Sequence, residues 1–186
     1  MNKDNKEIVR QMLVAIGENP DREGLLDTPN RVVKMWSEMF RGYNTLEKPS
    51  ITAFENKCDG MSYEGMIIDT GYFYSQCEHH MVPFFGQYYF AYIPDKKIIG
   101  LSKVARIVDY FSAKLQVQER LVKEIVDELE KELAPQGIAL VLKGRHLCKE
   151  MRGVKKVNGE MITADLRGSF KDNIPTRQEF MSYVSK

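Results

Sequence analysis

The sequence predicts an α+β fold, an antiparallel sheet with paired helices, preceded by an N-terminal helical segment. Three observations predict it. Residues 1–50 place apolar side chains at helical spacing between turn signals. The stretch 51–99 is rich in β-branched and aromatic residues in partial alternation, and 102–133 returns to helical spacing. Two further strand-like runs and a terminal helical run follow.

Taken in order, Asp4 and Glu7 read as a capping box opening a helix with apolar positions Ile8, Met12, Leu13 and Ile16. Gly17 and Pro20 end it. Thr28-Pro29 opens a second helix, Thr28 as N-cap and Pro29 at the first helical position. Val32, Val33, Trp36, Met39 and Phe40 supply its inner face, and Gly42 is its expected C-cap. Strands are expected within 51–57, 64–76 and 86–95, with GQYYFAYI the clearest run; Ile98-Ile99 resumes after a turn at Pro94-Asp95. Ser102 is placed to cap a helix reaching about Leu115, with Val104, Ile107, Val108 and Phe111 on one face. Leu121, Ile125, Leu129 and Leu133 mark the next helix by their i, i+4 spacing, and Pro135 and Gly137 stop it. IALVL at 138–142 reads as a short buried strand, 160–170 as another, and a helix from about Thr176 packs Phe180 and Val184.

A chain of 186 residues suffices for one fully cored domain behind a small helical segment, so the division is read as 1–50 and 51–186. The net charge of +1 exerts no global pull on nucleic acid or an anionic membrane. Any phosphate must therefore be held by a local cluster. The polar start MNKDNKEIVRQ lacks the apolar core of a signal peptide, and no apolar run approaches the roughly 20 residues that span a bilayer. A cytoplasmic protein without nucleic-acid or membrane partners is the expectation.

Three Cys and three His are present, and five of these six residues fall in CEHH at 77–80 and HLC at 146–148. Clustering of that kind points to metal or redox chemistry; Cys58 stands apart as an unrelated thiol. Cys77 and His80 are spaced so that one tight turn aims both at a single ion, and Cys148 is the natural third ligand. Thiolate and imidazole together suit zinc, a borderline-soft cation. Three ligands leave a position for water, the pattern of a catalytic site. A closed structural site with His146 as fourth ligand fits the spacing equally, since alternate strand residues share a face. A Cys77–Cys148 disulfide fits a reducing compartment poorly. His79 is then a spare imidazole beside the metal, suited to acid–base work.

Beyond spacing, the chain resembles the GTP cyclohydrolase I family along nearly all its length. The resemblance rests on EGLLDTPNRV at 23–32, CEHHMVPFFG at 77–86, GLSKVARIV at 100–108, QVQERL at 116–121 and HLCKEMRGV at 146–154. It implies a tunnelling fold (T-fold), in which antiparallel sheets and paired helices of several subunits form a ring. It further implies a homodecamer of two pentamers with active sites between subunits.

Residue by residue, the resemblance makes Cys77, His80 and Cys148 the ligands of Zn2+, resolving the open question toward a catalytic site. His79 matches the proton donor at the imidazole ring of guanine and His146 the second catalytic histidine. Ser102 matches the residue that assists ribose opening. Glu119 matches the guanine anchor, and Gln118 a neighbouring contact to the nucleotide. Lys103, Arg106, Arg152 and Arg31 match the triphosphate binders. The implied reaction hydrolyses GTP at C8, releases formate and rearranges the ribose to 7,8-dihydroneopterin triphosphate. Taken singly, these residues read as solvated charges, a surface ion pair at Glu119-Arg120 and an N-cap at Ser102. Two other readings keep the scaffold: a non-catalytic zinc- and GTP-binding regulatory module, and a T-fold enzyme of different chemistry. Loss of His79, Ser102 or His146 would mark the first, and all three are present.

Overall fold

The computed structural model describes residues 3–57 and 60–185, so Cys58 lies outside the described residues. The N-terminal segment consists of α1 (Lys3–Ala15) and α2 (Thr28–Met39), followed by short 3-10 turns. Next come β1 (Ala53–Glu55), β2 (Ile67–Cys77), β3 (Pro83–Ile93) and β4 (Lys97–Ile99). The helix pair α3 (Leu101–Ser112) and α4 (Gln118–Leu133) brackets a two-residue strand, β5 (Leu115–Gln116). The chain closes with β6 (Gly137–His146), α5 (Leu147–Glu150), β7 (Glu160–Gly168), α6 (Ser169–Asp172) and α7 (Ile174–Val184).

Five strands form one sheet in the order β5-β2-β3-β6-β7, antiparallel except for the short β2–β5 pairing, while β1 and β4 pair separately. Because side chains alternate across a strand, β3 sends Phe84, Tyr88, Phe90 and Tyr92 to the face covered by α3 and α4. Ile107, Leu121, Ile125 and Leu129 meet them there, fully buried. On the opposite face, Ala91, Ala139 and Val141 pack against Phe170, Phe180 and Val184. Strand β6 is thus covered on both sides, which is why IALVL is apolar without alternation. The rest of that second face is uncovered within the protomer, with Tyr72 and Tyr74 exposed.

Several local expectations are corrected. Among the described side chains of α1 only Val9 is buried, at 3%, whereas Ile8, Met12 and Ile16 are exposed; α1 packs against α2. Asp4 stands inside the first turn of α1, its side chain outside the described residues. At α2 the N-cap position is Asp27, with Thr28 and Pro29 already helical; the Asp27 carboxylate accepts from Asn30 and Arg31. Gly100, not Ser102, precedes α3, because its N–H is held by the Thr52 carbonyl at 2.9 Å. Helix α2 ends at Met39 with Phe40 as its C-cap; Gly42 instead donates its N–H to the Ala113 carbonyl, where a Cβ would come within 2.3 Å of the Tyr110 carbonyl oxygen.

Candidate metal centre and active site

Strand β2 ends at Cys77 and the chain reverses before β3. The N–H groups of His80 and Met81 donate to the Cys77 carbonyl at 3.3 and 2.8 Å, and the Cys77 N–H donates to the Val82 carbonyl at 2.9 Å. Met81 completes the reversal at φ 53°, a left-handed conformation that a non-glycine residue adopts only when its surroundings hold it. The turn brings His80 Nδ1 to 3.7 Å from Cys77 Sγ. Cys148 reaches the same place from α5, because the β3–β6 register sets His146 opposite Phe84. Ligand atoms of Cys77, His80 and Cys148 all lie within 4.8 Å of one another.

This donor set fits a borderline-soft divalent cation. Cys77 is buried, and burial followed by the neighbouring Cys77 sulfur pushes the Cys148 thiol up from its ordinary value. A cation between the two sulfurs would stabilise both as thiolates. Both cysteines are free thiols. His146 is not in the group.

His146 instead stacks flat on Phe84, ring centroids 4.6 Å apart and planes 8° from parallel, with Nε2 2.9 Å from Gln118 Oε1. Burial lowers its pKa, against a smaller opposing effect of the Glu119 carboxylate. Glu119 itself is exposed beside it at the start of α4, and His79 is exposed on the turn. Arg152 places a guanidinium nitrogen 3.2 Å from His80 Nε2, so this expected phosphate binder also touches a metal-group residue.

Gln118 faces inward. It is 1% exposed, and its amide nitrogen lies 3.1 Å from the Leu142 carbonyl, 2.9 Å from the Met161 carbonyl and 3.1 Å from Thr163 Oγ1. Its side chain is committed to the protein, and what it presents toward the site is His146.

Ser102, Lys103 and Arg106 are not brought to this place within one protomer. Helix α3 starts beside β4, where Tyr92 Oη accepts from the Ile99 N–H, and Tyr92 pairs with Ile67 at the other end of β2. Ten residue steps of extended strand, roughly 33 Å, separate that end from Cys77. Arg31 is exposed on α2 and paired with Asp27 at 2.9 Å.

Sequence reasoning missed the residues that brace the metal turn. Arg120 pairs with Glu78 and donates to Gln116 Oε1 at 2.9 Å, while the Glu78 N–H donates to the Gln116 carbonyl at 3.1 Å. Arg145 donates to the buried Glu150 through two bonds of 3.0 and 2.6 Å, bracketing HLC. Their only signal was position: Glu78 lies inside CEHH, and Arg145 and Glu150 flank the second motif.

A family model described as GTP cyclohydrolase I matches residues 5–185. GTP cyclohydrolase 1 of Deinococcus radiodurans is 47% identical over 184 residues, covering 98% of this chain and 84% of that protein. The corresponding protein of Aquifex aeolicus is 49% identical over 179 residues, covering 96% and 94%. Among solved structures, the archaeosine synthase QueF-Like in its apo form is similar over 55% of this chain and 93% of its own, with a TM-score of 0.48 and 13% identity. The α+β protomer, a largely antiparallel sheet with α3 and α4 on one face, is the T-fold that the motifs implied. With a match across nearly the whole chain and relatives close to half identical, the chain belongs to the GTP cyclohydrolase I family of hydrolases.

Proposed function

We propose that this enzyme is zinc-dependent, hydrolyses the guanine imidazole ring of GTP, releases C8 as formate and closes the product to 7,8-dihydroneopterin triphosphate. The observation that carries the reading is the convergence of Cys77, His80 and Cys148 within 4.8 Å, with His79 and His146 on adjoining segments. Held by these three ligands, zinc would supply a Lewis acid with a coordination position left for water.

The protein's own groups divide the remaining work. His79, exposed beside the ligand turn, donates a proton to the imidazole ring of the base. His146 is the second histidine, fixed in plane by Phe84. Glu119 accepts hydrogen bonds from the guanine N–H edge, a pattern that adenine does not present. Gln118 acts beside it, through the position of His146. Lys103, Arg106, Arg152 and Arg31 bind the triphosphate; Arg152 lies beside His80, and its guanidinium offers several donors for phosphate oxygens. Ser102 assists ribose opening.

Since Ser102, Lys103 and Arg106 sit at the other end of the sheet, a complete site needs the start of α3 from a second copy. Among the described residues, β7 and most of β2 are sheet edges without a partner strand, which supports closure with neighbouring copies into a ring. A decamer of two pentamers is the assembly we infer, with residues 1–50 as a helical segment on a 51–186 T-fold domain. No helix among the described residues is long and apolar enough to cross a membrane. We place the reaction in the cytoplasm, at the entry to folate and pterin synthesis.

The test is to incubate zinc-loaded protein with GTP and follow formate release together with pterin fluorescence after mild oxidation, with ATP as control. Equal formate and pterin from GTP alone is the expected result. Neither product, despite bound zinc and GTP, would replace the enzyme reading with that of a binding module.

A further inference from the structure

The buried amide of Gln118 has a fixed orientation. Two of its neighbours, the Leu142 and Met161 carbonyls at 3.1 and 2.9 Å, can only accept, so the group facing them is the NH2. Rotating the amide by half a turn would set Oε1 against two carbonyl oxygens in a buried place, leaving them and itself unpaired. The oxygen therefore faces His146 Nε2 at 2.9 Å, and an oxygen acceptor requires that Nε2 carry the hydrogen.

Room for this contact comes from a residue that sequence reading passed over. Gly144 lies two residues before His146 on β6, and a Cβ there would stand 2.3 Å from Gln118 Oε1. The backbone at Gly144 has no positive φ, so the space, and not the conformation, is what glycine provides.

We propose that Gln118 and Gly144 form a tautomer lock, holding neutral His146 as the Nε2–H form with Nδ1 bare. Gln118 is a positioning residue in this scheme: it acts through His146. The functional half of this inference rests on the reading of His146 as a catalytic histidine; the tautomer itself does not.

The test uses the full chain with 15N-labelled histidine, which gives three imidazoles to resolve. Ring nitrogen shifts of sedimented protein at a pH where the imidazoles are neutral distinguish protonated from bare nitrogens, with His146→Gln assigning the signals. The lock predicts a protonated Nε2 and a bare Nδ1 for His146. In Gly144→Ala the new methyl would stand 2.3 Å from Gln118 Oε1 and 3.3 Å from the Phe73 ring, so the amide must be displaced; circular dichroism and thermal melting check that the variant is folded. That variant and Gln118→Met should each give a mixture of tautomers, with kcat down about tenfold or more and KM for GTP little changed. A bare Nε2 in the unmodified protein, or an undisturbed Nε2–H in both variants, would overturn the lock. Mixed tautomers with unchanged kcat would confirm the lock and overturn the catalytic reading of His146.

Discussion

The two ends of the sheet are built on different terms. At the Cys77 end every segment is braced from within the protomer: the turn by backbone bonds to Cys77, Glu78 by Arg120, His146 by Phe84 and Gln118, and Cys148 by the Arg145–Glu150 pair that spans it. At the other end, Ser102 and Arg106 are exposed, and no side-chain hydrogen bond or ion pair holds them or Lys103 among the described residues. The difference teaches which half of the chemistry one chain prepares alone. On the proposed reading, metal binding and ring opening would need groups fixed to within a fraction of an ångström, and the bracing within one protomer suits that need. Ribose and phosphate handling, on the same reading, would fall to side chains with unused hydrogen-bonding capacity, which suits groups that meet their target across an interface.

The comparison is broken most severely by removing a metal ligand. Cys148→Ala should lose bound zinc and turnover together, read by metal analysis and formate release on the same preparation. An active variant without metal would remove the zinc reading altogether. His79→Ala cuts less deeply. Its imidazole is exposed and outside the ligand group, so zinc content should stay at the level of the unmodified protein while kcat falls about 10²- to 10⁴-fold. Full activity in that variant would refute the proton-donor role.

A third experiment sharpens the contrast between ends. His79→Ala and Ser102→Ala each disable one end, and both should be nearly inactive as pure proteins. Co-expressed, they should recover roughly a quarter of normal activity, because a site combining intact His79 of one copy with intact Ser102 of another arises at about that frequency on random assembly. If both residues served from one chain, mixing would restore nothing.

Much of this was legible in the sequence, for a physical reason. The α4 stripe of Leu121, Ile125, Leu129 and Leu133, the apolar run of β6 and the Phe180–Val184 face of α7 are local patterns that report burial directly, and all three are buried as expected. The metal group was legible because ligand chemistry restricts which residue types can converge. Helix starts were less so: Gly100 precedes α3 because of a bond to Thr52, and Asp27 precedes α2 while its carboxylate turns to Asn30 and Arg31. Such ties depend on distant or competing partners that a cap motif does not encode. The inward turn of Gln118 depends on the β6–β7 register, which sets Leu142 opposite Thr163 and Gly144 opposite Met161. No local pattern carries that information.

The mildest perturbation tests whether bracing at the metal end is more than scaffolding. Glu150 is buried, and its two bonds from Arg145 hold its carboxyl below the usual carboxylate range. Replacing it by Gln keeps the shape and one acceptor but removes the charge that fixes the guanidinium. Arg145 is 41% exposed at its side chain and lies over the Phe85 ring, so water can solvate it and the fold should persist. Cys148, two residues from the missing charge, would then sample more positions, and zinc affinity measured against a competing chelator should weaken about 10- to 100-fold. Catalysis at saturating zinc should be nearly unchanged, which separates this variant from Cys148→Ala. Unchanged affinity would mean that α5 is held by its backbone alone, through the Met151 N–H to the Leu147 carbonyl and the Lys156 N–H to the Lys149 carbonyl. The ion pair would then add nothing to the order of the motif, and the metal end would owe its order to the turn and the sheet register.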